Sequence, residues 1–196
     1  MKLSKHVLSS LDNWDANRKD FALMDACFAL EGTARNLCGK ETANRADYKN
    51  CIRHYFWILE RMGDLGINLG ETKFDNVNID GVQNPDIADV IYHIFRCNFA
   101  HCKDVPPNFE LMPNSSDVHV KILKDGFQVR ENIIFGLLAI SVFSQVNKGN
   151  ITEGSHYLFW RSHHFQIKDW WGKEKAFKDI VDKEVPNPTR VTIKFN

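Results

Sequence analysis

The chain has 196 residues, of which 43% are hydrophobic and 26% are charged. This composition excludes a disordered or fibrous chain and is typical of one globular domain, with room for a small appendage. Lysine plus arginine and aspartate plus glutamate number 25 each, so the formal net charge is zero. Proteins that grip long nucleic acids usually carry a basic excess, so any contact with nucleic acid must depend on a local patch.

Two helices are predicted in the first third of the chain. Residues 17–37 carry apolar residues at helical spacing. Residues 45–62 follow the i, i+3, i+4, i+7 template closely, and Asn44 and Asp47 form a capping-box pattern at their start. These helices offer packing surface, whereas the long polar connection over residues 67–83 is typical of a functional or mobile loop.

A third helix is predicted from Asn84 to about Val105. Asn84-Pro85-Asp86 combines a capping side chain, a proline in the first turn and an acid near the positive end of the helix dipole. Pro106-Pro107 then ends the segment. Apolar residues at helical spacing form its core-facing stripe: Ile87, Val90, Ile91, Ile94 and Phe95.

Arg96 and His101 stand near the end of this third helix. A guanidinium is a permanent cation that suits phosphate, and an imidazole exchanges protons near neutral pH. In an α-helix the two lie roughly 140° apart, and the small residues Cys97 and Ala100 between them leave room for a ligand or another helix. The alternative is an ordinary charged helix end, with a solvated arginine and a histidine that stabilises the helix dipole.

The segment Tyr92–His101 resembles the signature of the HEPN superfamily, in which R-x(4–6)-H lies at the end of a bundle helix. The likeness in organisation extends over roughly residues 16–147. It implies an all-helical bundle whose active site forms at a dimer interface from two copies of the motif. Many members are metal-independent ribonucleases, often toxin or antiviral components.

Matched residue by residue, the resemblance gives Arg96 and His101 the catalytic roles, with His93 and Asn98 as auxiliary candidates. A polar residue usually follows the arginine in that family, whereas Cys97 follows it here. Some members bind or assemble without cutting. The resemblance therefore leaves two functions open, an RNA-cleaving or RNA-binding protein and a non-catalytic interaction module.

The cysteine pattern favours free thiols and no bound metal. An odd count, no CxxC pair and no secretory signal predict reduced cysteines in a cytoplasmic protein. Cys97, His101 and Cys102 are close in sequence, but C-x4-C without a second cluster is not a zinc-finger pattern. We therefore predict neither a metal nor a cofactor. The five cysteines are Cys27, Cys38, Cys51, Cys97 and Cys102.

A hairpin and a buried helix are predicted after the motif. Alternating residues 118–129 around Asp125-Gly126 indicate a β-hairpin. Residues 131–147 are apolar on nearly every side but too few to cross a bilayer, so they predict a central buried helix and no membrane partner. Gly136 within this helix indicates close packing against another helix.

The C-terminal fifth is rich in aromatic and histidine residues, especially over residues 156–171. Such residues stack on bases in some proteins, but here we favour the interpretation that they cover one edge of the core. Asp169 is predicted to cap a short helix that ends at Asp182. Alternation over residues 190–195 predicts a terminal strand.

The sequence thus predicts a mainly α protein: a HEPN-like helical bundle with a small β-hairpin and a mixed α/β C-terminal appendage. Residues 1–150, including hairpin 118–129, form the bundle domain, and residues 151–196 form an aromatic-rich extension packed on it. The expected protein is a cytoplasmic homodimer joined through the Arg96/His101 helix. Its expected partners are RNA and an unidentified antitoxin or other protein.

Overall fold

The computed structural model describes residues 2–186, 191 and 192. Its first two helices are antiparallel. α1 spans Leu3–Asp15 and α2 spans Lys19–Cys38, which confirms the helix predicted over residues 17–37. α1 was not among the predicted helices. Its buried apolar residues Leu3, Val7 and Leu11 recur every four positions, which is a helical stripe only three residues long.

The helix predicted over residues 45–62 is interrupted at one residue. α3 (Arg45–His54) and α4 (Phe56–Met62) meet at Tyr55, which lies outside both helices, at φ −108° and ψ 23°. The phenol of Tyr55 is within 3.4 Å of Glu174 near the C-terminus, a contact that no local pattern reveals. The capping box at the start of α3 is confirmed, because the side chains of Asn44 and Asp47 each accept a hydrogen bond from the other's backbone N–H.

The connection over residues 67–83 contains no helix and is held to other parts of the fold at several points. Asn76 Nδ2 donates to the carbonyl oxygens of Leu123 and Gly126, at 2.9 and 2.8 Å. Ile67 forms a parallel bridge with Val191. The terminal strand predicted over residues 190–195 otherwise lies largely outside the described residues.

The helix that carries the motif has three parts. α5 (Ile87–Val90) leads into a π-helical turn, Ile91–Arg96, which continues into α6, Cys97–Ala100. Its N-cap is Asp86 rather than Asn84, because Asn84 has a positive φ of 51° whereas the side chain of Asp86 accepts from a backbone N–H within the first turn.

The predicted β-hairpin is present, with its turn one residue earlier than the sequence analysis implied. β1 (Val120–Leu123) pairs with β2 (Gly126–Val129), and Leu123 lies opposite Gly126, so Lys124-Asp125 forms the turn. A Cβ on Gly126 would lie 2.6 Å from the carbonyl oxygen of Asn108. Close approach to that carbonyl is therefore one reason for a glycine there. A short 3₁₀-helix, Pro107–Phe109, precedes the hairpin.

The predicted central helix is confirmed as α7, Ile133–Phe143, in which nearly every residue is buried. A 3₁₀ turn, Gln145–Asn147, follows it. A Cβ on Gly136 would lie 2.7 Å from Leu59 Cδ1, so the close approach predicted at this glycine is also confirmed.

The C-terminal part combines a second hairpin with two short helices. β3 (Tyr157–Trp160) pairs with β4 (His163–Gln166), and α8 (Ile167–Trp170) and α9 (Glu174–Glu184) follow. The single helix predicted from Asp169 to Asp182 is wrong, because Gly172 adopts a φ of +72° and breaks it. Asp169 lies inside α8 and caps nothing.

The described architecture is mainly helical with two small antiparallel hairpins, in agreement with the predicted class. One continuous hydrophobic core includes residues from both the bundle and the C-terminal part. The ring of Phe143 in α7 stacks on that of Phe177 in α9 at 4.2 Å between centroids.

Candidate functional site

Arg96 ends the π-helical turn and faces α2. Its Nη2 and Nε lie 2.9 and 3.3 Å from the same carboxylate oxygen of Glu31, and its guanidinium lies 5.6 Å from the centre of the Tyr92 ring. Partial burial lowers the pKa of Arg96, but the hydrogen bonds and charge of Glu31 outweigh burial and leave that pKa above its usual value. Arg96 is thus a half-buried, permanently charged group with one ion-pair partner.

His101 occupies the C-cap of the same helix and is exposed. Behind it, Cys102 has a φ of 52°, and the backbone N–H groups of Cys102 and Lys103 donate to the carbonyl oxygens of Phe99 and Asn98. These two bonds are the Schellman arrangement, in which a left-handed residue closes a helix. His101 is therefore presented to solvent at a well-defined helix end.

Arg96 and His101 do not share a contact within one chain. No hydrogen bond or ion pair joins them, since the guanidinium turns toward Glu31 and the imidazole stands at the exposed helix end. The auxiliary candidate Asn98 is half-buried, and its backbone carbonyl contributes to the helix end.

The other auxiliary candidate, His93, lies inside the π-helical turn. Its Nε2 is buried without a hydrogen-bond partner among the described residues, and its ring packs edge-on against Tyr92. Burial, followed by the charges of Arg45 and Lys49, lowers the pKa of His93. His93 is thus held in its neutral form, on the helix side next to α3.

Charged residues of α3 anchor the start of the motif helix. Asp89 accepts from Lys49 Nζ at 2.8 Å and from Arg53 Nη2 at 3.0 Å, and Arg53 Nε also donates to Asp86 at 2.8 Å. Burial raises the pKa of Asp89, but the hydrogen bonds from Lys49 and from the backbone of Asp86 bring it down to about 2. This network fixes the position of the helix that carries Arg96.

A cavity of about 400 Å³ opens between α1, α2 and the π-helical turn, and Arg96 lines it. Gly32 allows α1 to approach α2 here, because a Cβ at this position would lie 3.0 Å from Leu3 Cδ1. The cavity combines charged, aromatic and apolar side chains. Its lining consists of Leu3, His6, Phe28, Glu31, Gly32, Arg35 and Arg96.

His6 is a residue of this cavity that the sequence analysis did not identify. Its Nδ1 lies 2.8 Å from Oδ1 of Asp25, a buried carboxylate that also accepts from Ser9 Oγ at 2.6 Å and Asn13 Nδ2 at 3.0 Å. His6, Ser9 and Asn13 recur at positions i, i+3 and i+7 of α1, a polar stripe that would have pointed to them had α1 been predicted.

A second, larger groove of about 1,020 Å³ borders the end of the motif helix. Phe99 and Cys102 line it from the motif side and Phe21 of α2 from the other, and the Phe21 side chain is 55% exposed. The groove is mainly apolar, and charged side chains such as Lys19 and Glu131 also line it.

The cysteines differ in exposure. Burial raises the pKa values of the Cys27 and Cys51 thiols to about 12, so both are inert hydrophobic residues, whereas Cys102 is exposed. Cys97 is partly buried. Over the described residues, no group of three or more histidine, cysteine or acidic side chains is arranged to hold a metal ion.

Most of the aromatic C-terminal segment covers the core, as predicted from the sequence. Trp160 and Phe165 are buried in the hydrophobic core, and Trp171 Nε1 donates to Thr152. Tyr157 and Phe159 of β3 alternate with the buried positions and are about half exposed. Base stacking by these two rings stays an untested alternative.

Comparison with known proteins identifies relatives from mycobacteria. The chain is 32% identical over 190 residues to the uncharacterized protein Rv1289 of Mycobacterium tuberculosis H37Rv, covering 93% of this chain and 89% of that protein. The same values hold for the uncharacterized proteins MT1327 of M. tuberculosis CDC 1551 and Mb1320 of M. bovis. No solved structure is significantly similar.

Within the part of the chain that the structure describes, no helix is long and apolar enough to cross a membrane. The Rv1289 family model matches residues 2–196, nearly the full length of the sequence. The match of the family model and the identity to the mycobacterial relatives agree: the chain belongs to the Rv1289 family.

Proposed function

We propose that this protein is a HEPN-like, metal-independent RNA endonuclease, in which Arg96 holds the phosphate and His101 exchanges the proton. One observation carries the proposal: Arg96 and His101 occupy the last two turns of one helix, the guanidinium beside a cavity and the imidazole exposed at the helix end. Both are held in place by the helix and its C-terminal cap.

The mechanism requires two copies of the motif helix. His101 of one copy accepts the proton of a 2′-hydroxyl, whose oxygen bonds to phosphorus as the P–O5′ bond breaks. The leaving 5′-oxygen takes its proton from water or from a protonated His101. Arg96 of the other copy binds the phosphate and its developing negative charge. The products are a 2′,3′-cyclic phosphate and a 5′-hydroxyl. The apolar groove beside Phe99 supplies a surface on which the two copies can meet.

A second candidate function is a non-catalytic dimerisation module of the same shape. The ion pair between Arg96 and Glu31 favours it, because a guanidinium that is already paired is partly neutralised. The zero net charge also favours it, since RNA binding then depends on a local patch. In this case the helix with Arg96 forms the dimer interface, and the protein does not cleave RNA.

An RNA-cleavage assay distinguishes the two functions. It uses purified protein and mixed RNA in the presence of a chelator. We expect the wild type to cleave, and His101→Ala to abolish cleavage while costing at most about 1 kcal/mol of stability, since a helix-end imidazole contributes little more. Arg96→Lys should also be inactive because an ammonium lacks the planar fork of donors. The double variant should be no worse than either single one, since both act in one step.

His54→Gln is a matched control, because His54 is an exposed histidine at the end of another helix. Its variant should cleave RNA like the wild type. Intact RNA under every condition with the wild type, together with weaker self-association of Arg96→Ala, would show that the protein is a dimerisation module.

A further inference from the structure

The cavity beside Arg96 has the chemistry of an anion site, with polar side chains from two helices and from the π-helical turn. We propose that it binds a phosphoryl group, with Arg35 and Arg96 as permanent cationic donors and the imidazole of His6 as a third polar group on the wall. The proposal deepens the function proposed above and rests on it only for the nature of the ligand. It adds a site within one chain that does not require His101.

Arg35 is the first reason for this assignment. It lines the cavity, forms no ion pair with any described residue, and its Nε is buried without a hydrogen-bond partner. A buried N–H of a charged group without a partner is costly, and proteins rarely leave one unsatisfied. An anion in the cavity pairs with the guanidinium charge of Arg35, which no described residue neutralises.

His6 is the second reason. Because Asp25 accepts from Nδ1 at 2.8 Å, the ring is held in one orientation and Nε2 is the nitrogen left for other partners. The side chain is only 16% exposed, yet it lines the cavity. His6 is therefore a polar group of fixed orientation on the wall of the cavity.

The balance of charge in the cavity favours an anion. Of the side chains that line the cavity, Arg35 and Arg96 carry two positive charges and Glu31 one negative charge. The carboxylate of Asp25 is not part of the lining and lies behind His6. Glu31 has a double role, because it orients the Arg96 guanidinium and also repels an incoming anion.

A phosphoryl group fits the side chains of this cavity better than a carboxylate does. A phosphate presents several oxygens in a tetrahedral arrangement and can accept from donors on different sides, and arginine is the side chain whose fork suits it. The guanidinium of Arg96 is already oriented by Glu31, so little of its conformational freedom remains to be lost on binding.

Binding is tested with two probes on the full-length protein, by calorimetry. Thymidylyl-thymidine has a phosphodiester but no 2′-hydroxyl, so it binds without being cleaved. Inorganic phosphate is the second probe. Binding of both indicates a site for free phosphate groups, and binding of the dinucleotide alone indicates a site for a nucleic-acid backbone.

The variants give opposite effects. Arg35→Gln should weaken binding about tenfold, because it removes a charge-assisted donor, whereas Glu31→Gln should strengthen it, because the amide keeps an acceptor for Arg96 without the negative charge. Arg161→Gln is the matched control, since Arg161 is an exposed arginine of the second hairpin. It should bind as the wild type does.

A further variant isolates His6. His6→Gln should weaken binding of the dinucleotide, because it removes an imidazole of the cavity wall that Asp25 holds in one orientation. Should that variant fail to fold, the NMR signal of the His6 ring in the wild type serves instead. It should shift on addition of the probe, while that of His54 should not.

Two results would overturn the assignment: no binding of either probe, or binding that Arg35→Gln leaves unchanged. The RNA assay is independent of both. Cleavage without binding of the deoxyribose probe at this cavity would leave the nuclease function standing and remove the site. Binding of the probe without cleavage of RNA would support the site and contradict the nuclease function.

Discussion

Gly136 is the residue on which the packing of the central helix most depends. It lies where α7 crosses α4, and an added Cβ would meet Leu59 Cδ1 at 2.7 Å and the backbone nitrogen of Gly63 at 3.1 Å. The second contact is with backbone, which cannot rotate away. A glycine inside a helix costs stability by itself, so its presence here is explained by the close approach of the two helices.

We predict that Gly136→Ala lowers the free energy of unfolding by about 1–3 kcal/mol, because overpacking outweighs the better helix propensity of alanine. Urea denaturation measures the change. Gly70→Ala is the control, since the nearest atom to its added Cβ is Asn68 Oδ1 at an ordinary 3.5 Å. Equal effects of the two substitutions would contradict the proposed contact.

At the scale of the element, the motif helix differs from a regular α-helix in its middle. The N–H of Cys97 bonds to the carbonyl of Tyr92, five residues earlier, which widens the turn. The π-helical turn shifts the end of the helix, with Arg96 and His101, relative to the apolar stripe that begins at Ile87. Such turns are frequent at functional sites.

The start of this helix depends on Asp89, and we predict that Asp89→Asn lowers the free energy of unfolding by about 2 kcal/mol at neutral pH. The pKa of Asp89 is about 2, below its ordinary 3.8, so its ionised form stabilises the fold above about pH 4. That contribution is lost as the pH falls toward 2. The difference between variant and wild type should therefore shrink over this interval.

Denaturant titrations at several pH values measure this difference. Asp47→Asn is the comparison, because Asp47 holds the same position in the capping box of α3 but pairs with Lys40, which is 50% exposed, whereas the Lys49 partner of Asp89 is 15% exposed. Asp47→Asn should lower the free energy of unfolding by less than Asp89→Asn does. A difference for Asp89→Asn that stays constant down to pH 2 would contradict the role of the ionised carboxylate.

At the scale of the whole molecule, the bundle and the C-terminal part share one core, and the exposed apolar surface is concentrated in a few places. Phe21 is 55% exposed at the groove beside the motif helix, and Phe159 is 51% exposed on the second hairpin. Of these two, only Phe21 is next to the end of the helix that carries Arg96 and His101.

We predict a homodimer at micromolar concentration, formed through the groove that contains Phe21 and Phe99 and related by a two-fold axis. Phe21→Ser should raise the dimer dissociation constant about tenfold or more, because it removes an aromatic anchor from the interface. Phe159→Ser should not change it. Sedimentation equilibrium distinguishes these outcomes, and a monomeric wild type would refute the prediction.

The sequence by itself determined the elements whose signals are local. Apolar spacing identified α2, the motif helix and α7, the Asn44/Asp47 pattern identified the start of α3, and alternation identified the first hairpin. It missed α1, whose apolar stripe is short, and the break at Tyr55, which coincides with a contact to Glu174 far along the chain.

Only the tertiary structure decided which side chains meet at the candidate site. Arg96 and His101 were recognisable from their spacing, but the carboxylate that binds Arg96 lies 65 residues away, and Asp25 lies 19 residues from His6. Spacing along one helix determines the angle between its own side chains. It carries no information about what α1 and α2 place opposite them, because that depends on how the helices pack.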